Sequence, residues 1–319
     1  MRQLNRTYEH LFGQAPNRCL FGDLTTSARK MRDALIMSPS DEDNTYHLLH
    51  ITRERGVAFA TIDAPPVNVM TPSLFKELAK FGTSVADDAS VRAVVLRSAD
   101  PDFFIAHFDV SAILQFPVEG EAVRPTEIAG FHAMCETYRL MPKPTIVELA
   151  GRVGGGGSEL AMSCDMRFGA IGKTTINQME VPLGILPGGT GTQRLPRLVG
   201  RNRAMEIILG GVDIDSQTAE SWGYLNRAIA PEDLSQFVSD FAYRIASFPP
   251  TAVALAKESV NNADTLPLRE GMLEEQYLFQ QLLRTEEAKP SMERFLELGG
   301  QTRSGEKRMG DLATEISGT

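Results

Sequence analysis

The chain has 319 residues, is 42% hydrophobic and carries a formal net charge of −9. Such a length supplies a large buried core in one or two domains, and the acidic balance excludes nucleic acid as a main partner, since phosphate backbones are held by clustered Lys and Arg. No stretch reaches the roughly 18–20 uninterrupted apolar residues of a membrane span.

Residues 1–19 scatter charge through the segment and lack the apolar block of a secretory signal. Arg2, Arg6 and Arg18 would suit a mitochondrial presequence, whereas Glu9 and Asp23 count against one. Cys19, Cys135 and Cys164 stand at unrelated spacings, which yields neither a disulfide framework nor a metal knuckle. The chain reads as a reduced, soluble, cytoplasmic protein with no membrane partner. Residues 1–44 form an appendage, with a helix expected over 25–36 and a polar linker at 38–44. An α/β core over 45–200, a helical region over 201–300 and a polar tail over 301–319 follow.

From Tyr46 the pattern changes. Residues 48–52 and 57–62 read as strands around the turn Glu54-Arg55-Gly56. Pro65 to Met70 is a turn, and Thr71-Pro72 supply the N-cap and first position of a helix running to about residue 87. Residues 91–97 form a buried strand, and 103–105 a short one. A helix is expected over 125–141, a strand over 144–149, a helix over 158–165 and a strand over 166–170. Beyond about Gln193 helices are expected at 201–210, 216–223, 231–247, 250–261 and 267–284, with Trp222 packing between them. An α/β core with a helical C-terminal region follows.

The run Gly154-Gly155-Gly156-Gly157 opens a helix after an apolar strand and leads into Glu159; Glu180 follows in a loop. A glycine-lined helix start leaves main-chain N–H groups free, with positive dipole character suited to a developing oxyanion. Two carboxylates beside it would handle a proton or a water. Each part alone has a plainer reading: a flexible turn, a first-turn carboxylate favoured by the helix dipole, a solvated surface glutamate.

The ordered series Pro142–Val147 in the sequence PKPTIV, then GRVGGGGSELAMSCD from Gly151, then EVPLGILPGGTGTQRLPRLVG from Glu180, resembles the crotonase superfamily, the enoyl-CoA hydratase/isomerase family. Asn68, Asp109 and the segment AESWGYL from Ala219 support it, and the likeness runs from about Thr45 to Leu298. It implies a spiral of ββα units with a helical C-terminal trimerisation region, in a homotrimer or homohexamer. It also implies an oxyanion hole built from the main-chain N–H groups of Phe108 and Gly156, with Glu159 and Glu180 as the catalytic pair. Glu159 would be the base toward water and Glu180 the acid. Pro66, Val67, Ile105, Ala106, His107 and Gly155 would line the acyl-CoA site. The implied reaction adds water to a 2-enoyl-CoA. Isomerisation, retro-aldol cleavage of a hydroxyacyl-CoA, thioester hydrolysis and a non-catalytic acyl-CoA-binding scaffold are the alternatives.

Neither a metal nor a redox cofactor is expected: no His/Cys/Asp cluster has ligand spacing, no GxGxxG follows a strand with an acidic partner downstream, and coenzyme A enters as part of the substrate. Two departures from the family pattern bear on the acyl group. His107 replaces a customary glycine, its imidazole either reaching the acyl pocket or packing away from it, and Phe108 is bulkier than the customary alanine. Arg194 and Arg197 read either as phosphate partners or as structural ion pairs in an oligomer.

Overall fold

Two antiparallel strands open the computed structural model, which describes residues 46–317. β1 (Leu49–Glu54) and β2 (Val57–Ile62) pair around Arg55 and Gly56, whose φ values of 50° and 78° are the left-handed pair of a tight hairpin. The expected appendage, its helix at 25–36, its linker and Cys19 lie outside the described residues.

Helix α1 (Pro72–Asp87) starts as the sequence predicts: Thr71 Oγ1 accepts the N–H of Leu74, and Pro72 occupies the first turn, where its missing N–H is no loss. β3 (Ala93–Ser98), β4 (Phe103–Ile105) and the short α2 (Val110–Ile113) come next, followed by α3 (Gly130–Leu140). The helix expected from residue 125 begins only here, because Gly130 sits at φ +57°, where a right-handed helix cannot run through. β5 (Thr145–Leu149), β6 (Arg152–Gly154), α4 (Gly155–Ser163), β7 (Met166–Ala170) and β8 (Thr175–Asn177) complete the repeated units.

A 3-10 turn, Val181–Leu183, precedes α5 (Gly191–Val199) and α6 (Arg201–Gly210). The rest is β9 (Ile214–Asp215), α7 (Ser216–Trp222), β10 (Arg227–Ile229), α8 (Pro231–Ala246), α9 (Pro250–Asn262), α10 (Leu268–Leu282), α11 (Ala288–Glu297), α12 (Arg303–Glu306) and α13 (Met309–Ile316). Within the polar tail, Arg303–Glu306 and Met309–Ile316 are helical. Leu312 is buried, and Arg244 donates to the Gly310 carbonyl at 2.6 Å.

The six-stranded sheet has the order β1-β2-β3-β5-β7-β10, parallel after the first pair. A smaller sheet has the order β4-β6-β8-β9. The repeat is thus physical: β3, β5 and β7 each enter the large sheet, and the strand that follows each, β4, β6 and β8, enters the small one. This is the expected α/β architecture of strand–strand–helix units. Side chains alternate along β2, so Ala58, Ala60 and Ile62 join one core with Leu74, Leu78 and Phe81 of α1, while Val57 and Phe59 join a second with Leu234, Val238 and Ala242 of α8. Both faces are covered, which is why the parallel strands read as continuous apolar runs.

No helix among the described residues is long and apolar enough to cross a membrane.

Candidate active site

Helix α4 begins earlier than the sequence suggests, with three of the glycines forming its first turn and β6 inserted before them. Gly155 sits at φ +44°, which only glycine adopts without strain, and a Cβ on Gly157 would lie 2.5 Å from the Ile105 carbonyl oxygen. The helix start is therefore pressed against the end of β4. That contact brings Phe108 to the helix: a Cβ on Gly156 would fall 3.6 Å from the Phe108 nitrogen and 3.2 Å from its Cβ. The Gly156 N–H lies in the first turn, where no intrahelical acceptor exists. Two main-chain donors thus stand side by side.

The turn at 65–70 is stitched to the same loop. Ala106 N–H donates to the Val67 carbonyl (3.3 Å), Met70 N–H to the His107 carbonyl (2.8 Å) and Asp109 N–H to the Met70 carbonyl (3.1 Å). Asn68, at φ 50° and 1% exposed, is the tie. Its Oδ1 accepts from Ala64 N–H (2.7 Å), and its Nδ2 donates to Ser98 Oγ (2.8 Å) and to the carbonyls of Phe103 and Phe104 (3.1 Å each). Pro66, Val67, Ile105 and Ala106 are brought together by these bonds. Asp109 caps α2, accepting from Ser111 N–H at 2.9 Å.

Glu159, one helical turn beyond Gly155, is 4% exposed. Its Oε1 accepts the main-chain N–H groups of Gly189 (2.7 Å) and Gly191 (2.8 Å). Burial raises its pKa to about 7; the Gly191 and Gly189 donors oppose the rise and the charge of Glu180 adds to it. With Oε1 filled by two donors, a proton on this group resides on Oε2. That oxygen faces Gly189 and the ring of Phe131: an ideal Gly189 Cβ would lie 2.4 Å from the one and 2.7 Å from the other.

Glu180 heads the 3-10 turn, and burial pushes its pKa up as well. Its Oε1 is 3.0 Å from the point where a Gly155 Cβ would stand, and the His107 Cβ is 3.3 Å from that same point. The two carboxylates therefore flank the helix start, Glu180 on the His107 side and Glu159 on the Phe131 side. His107 Nδ1 donates to the Phe108 carbonyl at 2.9 Å, so one ring nitrogen is engaged within its own turn. Phe108 packs edge-on to Phe131 (5.9 Å between centroids), and Phe131 stacks on Phe75 (6.1 Å), forming an aromatic wall beside Glu159.

Sequence reasoning passed over Gln178, Ser158, Tyr224 and the donors Gly189 and Gly191. With its amide nitrogen toward Glu180, the buried Gln178 donates to Oε2 (3.0 Å) and Oε1 (3.2 Å), and its oxygen accepts from Ser158 Oγ (3.2 Å). Ser158 then accepts from the Tyr224 hydroxyl at 2.8 Å, and burial pushes that phenol up to about 12, so it keeps its hydrogen. Every donor in this chain points toward Glu180. The spacing of Gln178 two positions before Glu180 is the one signal the sequence held.

The arrangement can bind the oxygen of a carbonyl, hold a water and move one proton. Comparison with known proteins agrees. The model of the family described as enoyl-CoA hydratase/isomerase matches residues 52–302. A short-chain-enoyl-CoA hydratase of Clostridium acetobutylicum is 33% identical over 249 residues, covering 77% of this chain and 94% of that protein. A protein described as a probable enoyl-CoA hydratase of Rhizobium meliloti is 35% identical over 255 residues, covering 79% and 96%. Among solved structures, an enoyl-CoA hydratase from Bacillus anthracis aligns with a TM-score of 0.71 at 27% identity, over 79% of this chain and 96% of its own.

Proposed function

The chain belongs to the enoyl-CoA hydratase/isomerase family and has its crotonase-type fold, and from that membership we propose that it adds water across the double bond of a 2-enoyl-CoA thioester. The observation that carries the reading is the pair of carboxylates, buried Glu159 and half-buried Glu180, flanking the glycine start of α4. An activity that moved a proton alone would need one of them.

The thioester oxygen lies between the N–H groups of Phe108 and Gly156, which stabilise the enolate formed when oxygen adds to Cβ. Near neutral pH two close, buried carboxylates share one proton, which belongs to the pair. The raised pKa of Glu159, about 7, and the donor chain ending on Glu180 support a resting state with that proton mainly on Glu159 Oε2. Handed through the held water to Glu180, it leaves Glu159 ready as the base. Glu159 then takes a proton from the water as its oxygen bonds Cβ, and Glu180 protonates Cα. One water is consumed, and one proton remains on the pair. The chemistry requires neither metal nor redox group.

We propose further that the protein works in the cytoplasm as a homotrimer or a dimer of trimers. Exposed apolar residues on α10 and α11, among them Leu273, Tyr277, Phe279 and Met292, support self-association.

Incubation with crotonyl, longer 2-enoyl and aryl-enoyl CoA esters, followed by mass analysis, tests the reaction. A gain of one water on any ester bears it out. An unchanged mass with a shifted double bond, a shortened acyl chain or free coenzyme A would replace hydration by isomerisation, cleavage or hydrolysis.

A further inference from the structure

A cavity of about 490 Å³ opens at the C-terminal end of α4, roughly 12 Å along that helix from Gly156. Its lining includes the cations Arg139, Arg167, Arg194, Arg197 and Lys257, in a chain whose net charge is −9. Three of these are paired with carboxylates. Arg139 pairs with Asp264 (3.1 Å), Lys257 with Asp165 (2.8 Å) and Arg194 with Glu136. Arg167 is 4% exposed and donates to the carbonyls of Tyr224 (2.8 Å), Ala161 (3.1 Å) and Cys164 (2.8 Å), so it meets the negative end of α4.

Arg197 is exposed to solvent at the mouth and, like Arg167, pairs with no carboxylate among the described residues. Its guanidinium donates to the Gln193 carbonyl one turn back. Arg194 adds a second demand: its Nε is buried without an acceptor, although its terminal nitrogen has Glu136. An exposed cation and a buried, orphaned N–H on successive turns of α5 thus offer a charge and a donor to one anionic acceptor. Between the charges the walls are apolar, made by Met162, Met166, Leu198 and Val260.

We propose that this cavity binds an amphiphilic monocarboxylate, a hydrocarbon body with a single anionic head, at a site separate from the acyl-thioester site. The head sits on Arg197 with Arg194 Nε beside it, and the hydrocarbon lies against Met162, Met166 and Leu198. The volume falls within the range of small-molecule sites, roughly 300–1,000 Å³.

Titration calorimetry of the full chain with sodium octanoate, in excess coenzyme A to occupy the thioester site, tests the assignment. One octanoate per chain is expected, with no heat from octanol at the same concentration. Arg197→Gln should weaken binding at least tenfold. Val260→Glu, at a position 73% exposed on the rim and so tolerated by the fold, should do the same by setting a carboxylate at the mouth. Equal affinity in wild type and both variants would overturn the proposal, as would the absence of heat at roughly millimolar octanoate. If octanoate gave no heat while Arg197→Gln lowered the oligomeric mass, the cavity would belong to an interface with a second copy.

Discussion

Gly191 donates its main-chain N–H to Glu159 Oε1 at 2.8 Å across 32 positions of sequence, so the first turn of α5 fixes the rotamer of a residue on α4. With Gly189 on the same oxygen, the carboxylate is oriented by two groups that carry no side chain. The free oxygen, Oε2, is thereby aimed before any substrate arrives, which is how a proton-transfer group avoids reorganisation during reaction.

Removing either carboxylate should abolish hydration while leaving the fold. Glu159→Gln and Glu180→Gln are each expected to lower kcat by about 10²–10⁴, the usual worth of a positioned acid or base. The double variant should be little worse than the poorer single one, because the two act on one water. Loss of the enoyl-thioester absorbance reads all three. A double variant as slow as the product of the single losses would show that they act independently.

The stability of the Glu159 variant should depend on pH in a definite sense. The folded pKa of about 7 lies above the ordinary glutamate value of 4.5, so the folded state holds the proton more tightly and wild-type stability falls as pH rises from about 4.5 to 7. Glu159→Gln lacks this loss. Its melting temperature relative to wild type should climb over that window and level off above it, by an amount equivalent to at most about 3 kcal/mol. Thermal melts at pH 5, 6, 7 and 8 check this, and a difference that shrinks with rising pH would contradict it.

Two adjacent glycines should fail differently. Gly157→Ala drives a Cβ to 2.5 Å from the Ile105 carbonyl oxygen and 2.6 Å from its Cβ, a clash with main chain and packed side chain worth about 1–3 kcal/mol or more of stability. Gly156→Ala meets the Phe108 Cβ at 3.2 Å, which a small shift relieves. That shift moves the Phe108 N–H, so kcat should drop by about 10²–10³ with little change in melting temperature. Parallel melts and rates separate the two effects.

Asn68→Ala removes one accepted and three donated hydrogen bonds from a buried turn held at φ 50°. The expected loss is about 2–4 kcal/mol. Asn68→Asp keeps the acceptor for Ala64 yet sets a carboxylate against three oxygens, and should be at least as damaging. Since the same turn carries Pro66 and Val67, KM for the CoA thioester should rise in any variant that still folds. Chemical denaturation with substrate titration reads both.

What the sequence made legible was chemistry that demands a residue type. Glu159, Glu180 and the glycine run stand out because few other residues can do their work, and α1 announced itself through Thr71 and Pro72. What it hid was chemistry done by main chain or by short elements. Gly189 and Gly191 act through N–H groups that every residue but proline carries, and Gln178 is marked only by standing two positions before Glu180. β8 and β10 have three residues each, too few for a period to show. Helix α5 was masked by Pro196 inside it. The helices at 303–306 and 309–316 left no periodic signal because their burial rests on little more than Leu312.

The contact between Gly157 and Ile105 separates two problems that selection must otherwise solve together. Phe108 and Gly156 are joined through that contact and not through the chain between them, so the stretch from Leu114 to Ala129, with its exposed Phe116, Val118, Val123 and Ile128, can lengthen, shorten or change composition while the two donors stay in register. Length and composition can therefore drift in that exposed stretch while the spacing of Phe108 and Gly156 stays constant, so a chain built this way absorbs insertions in a loop without passing them on to the helix start.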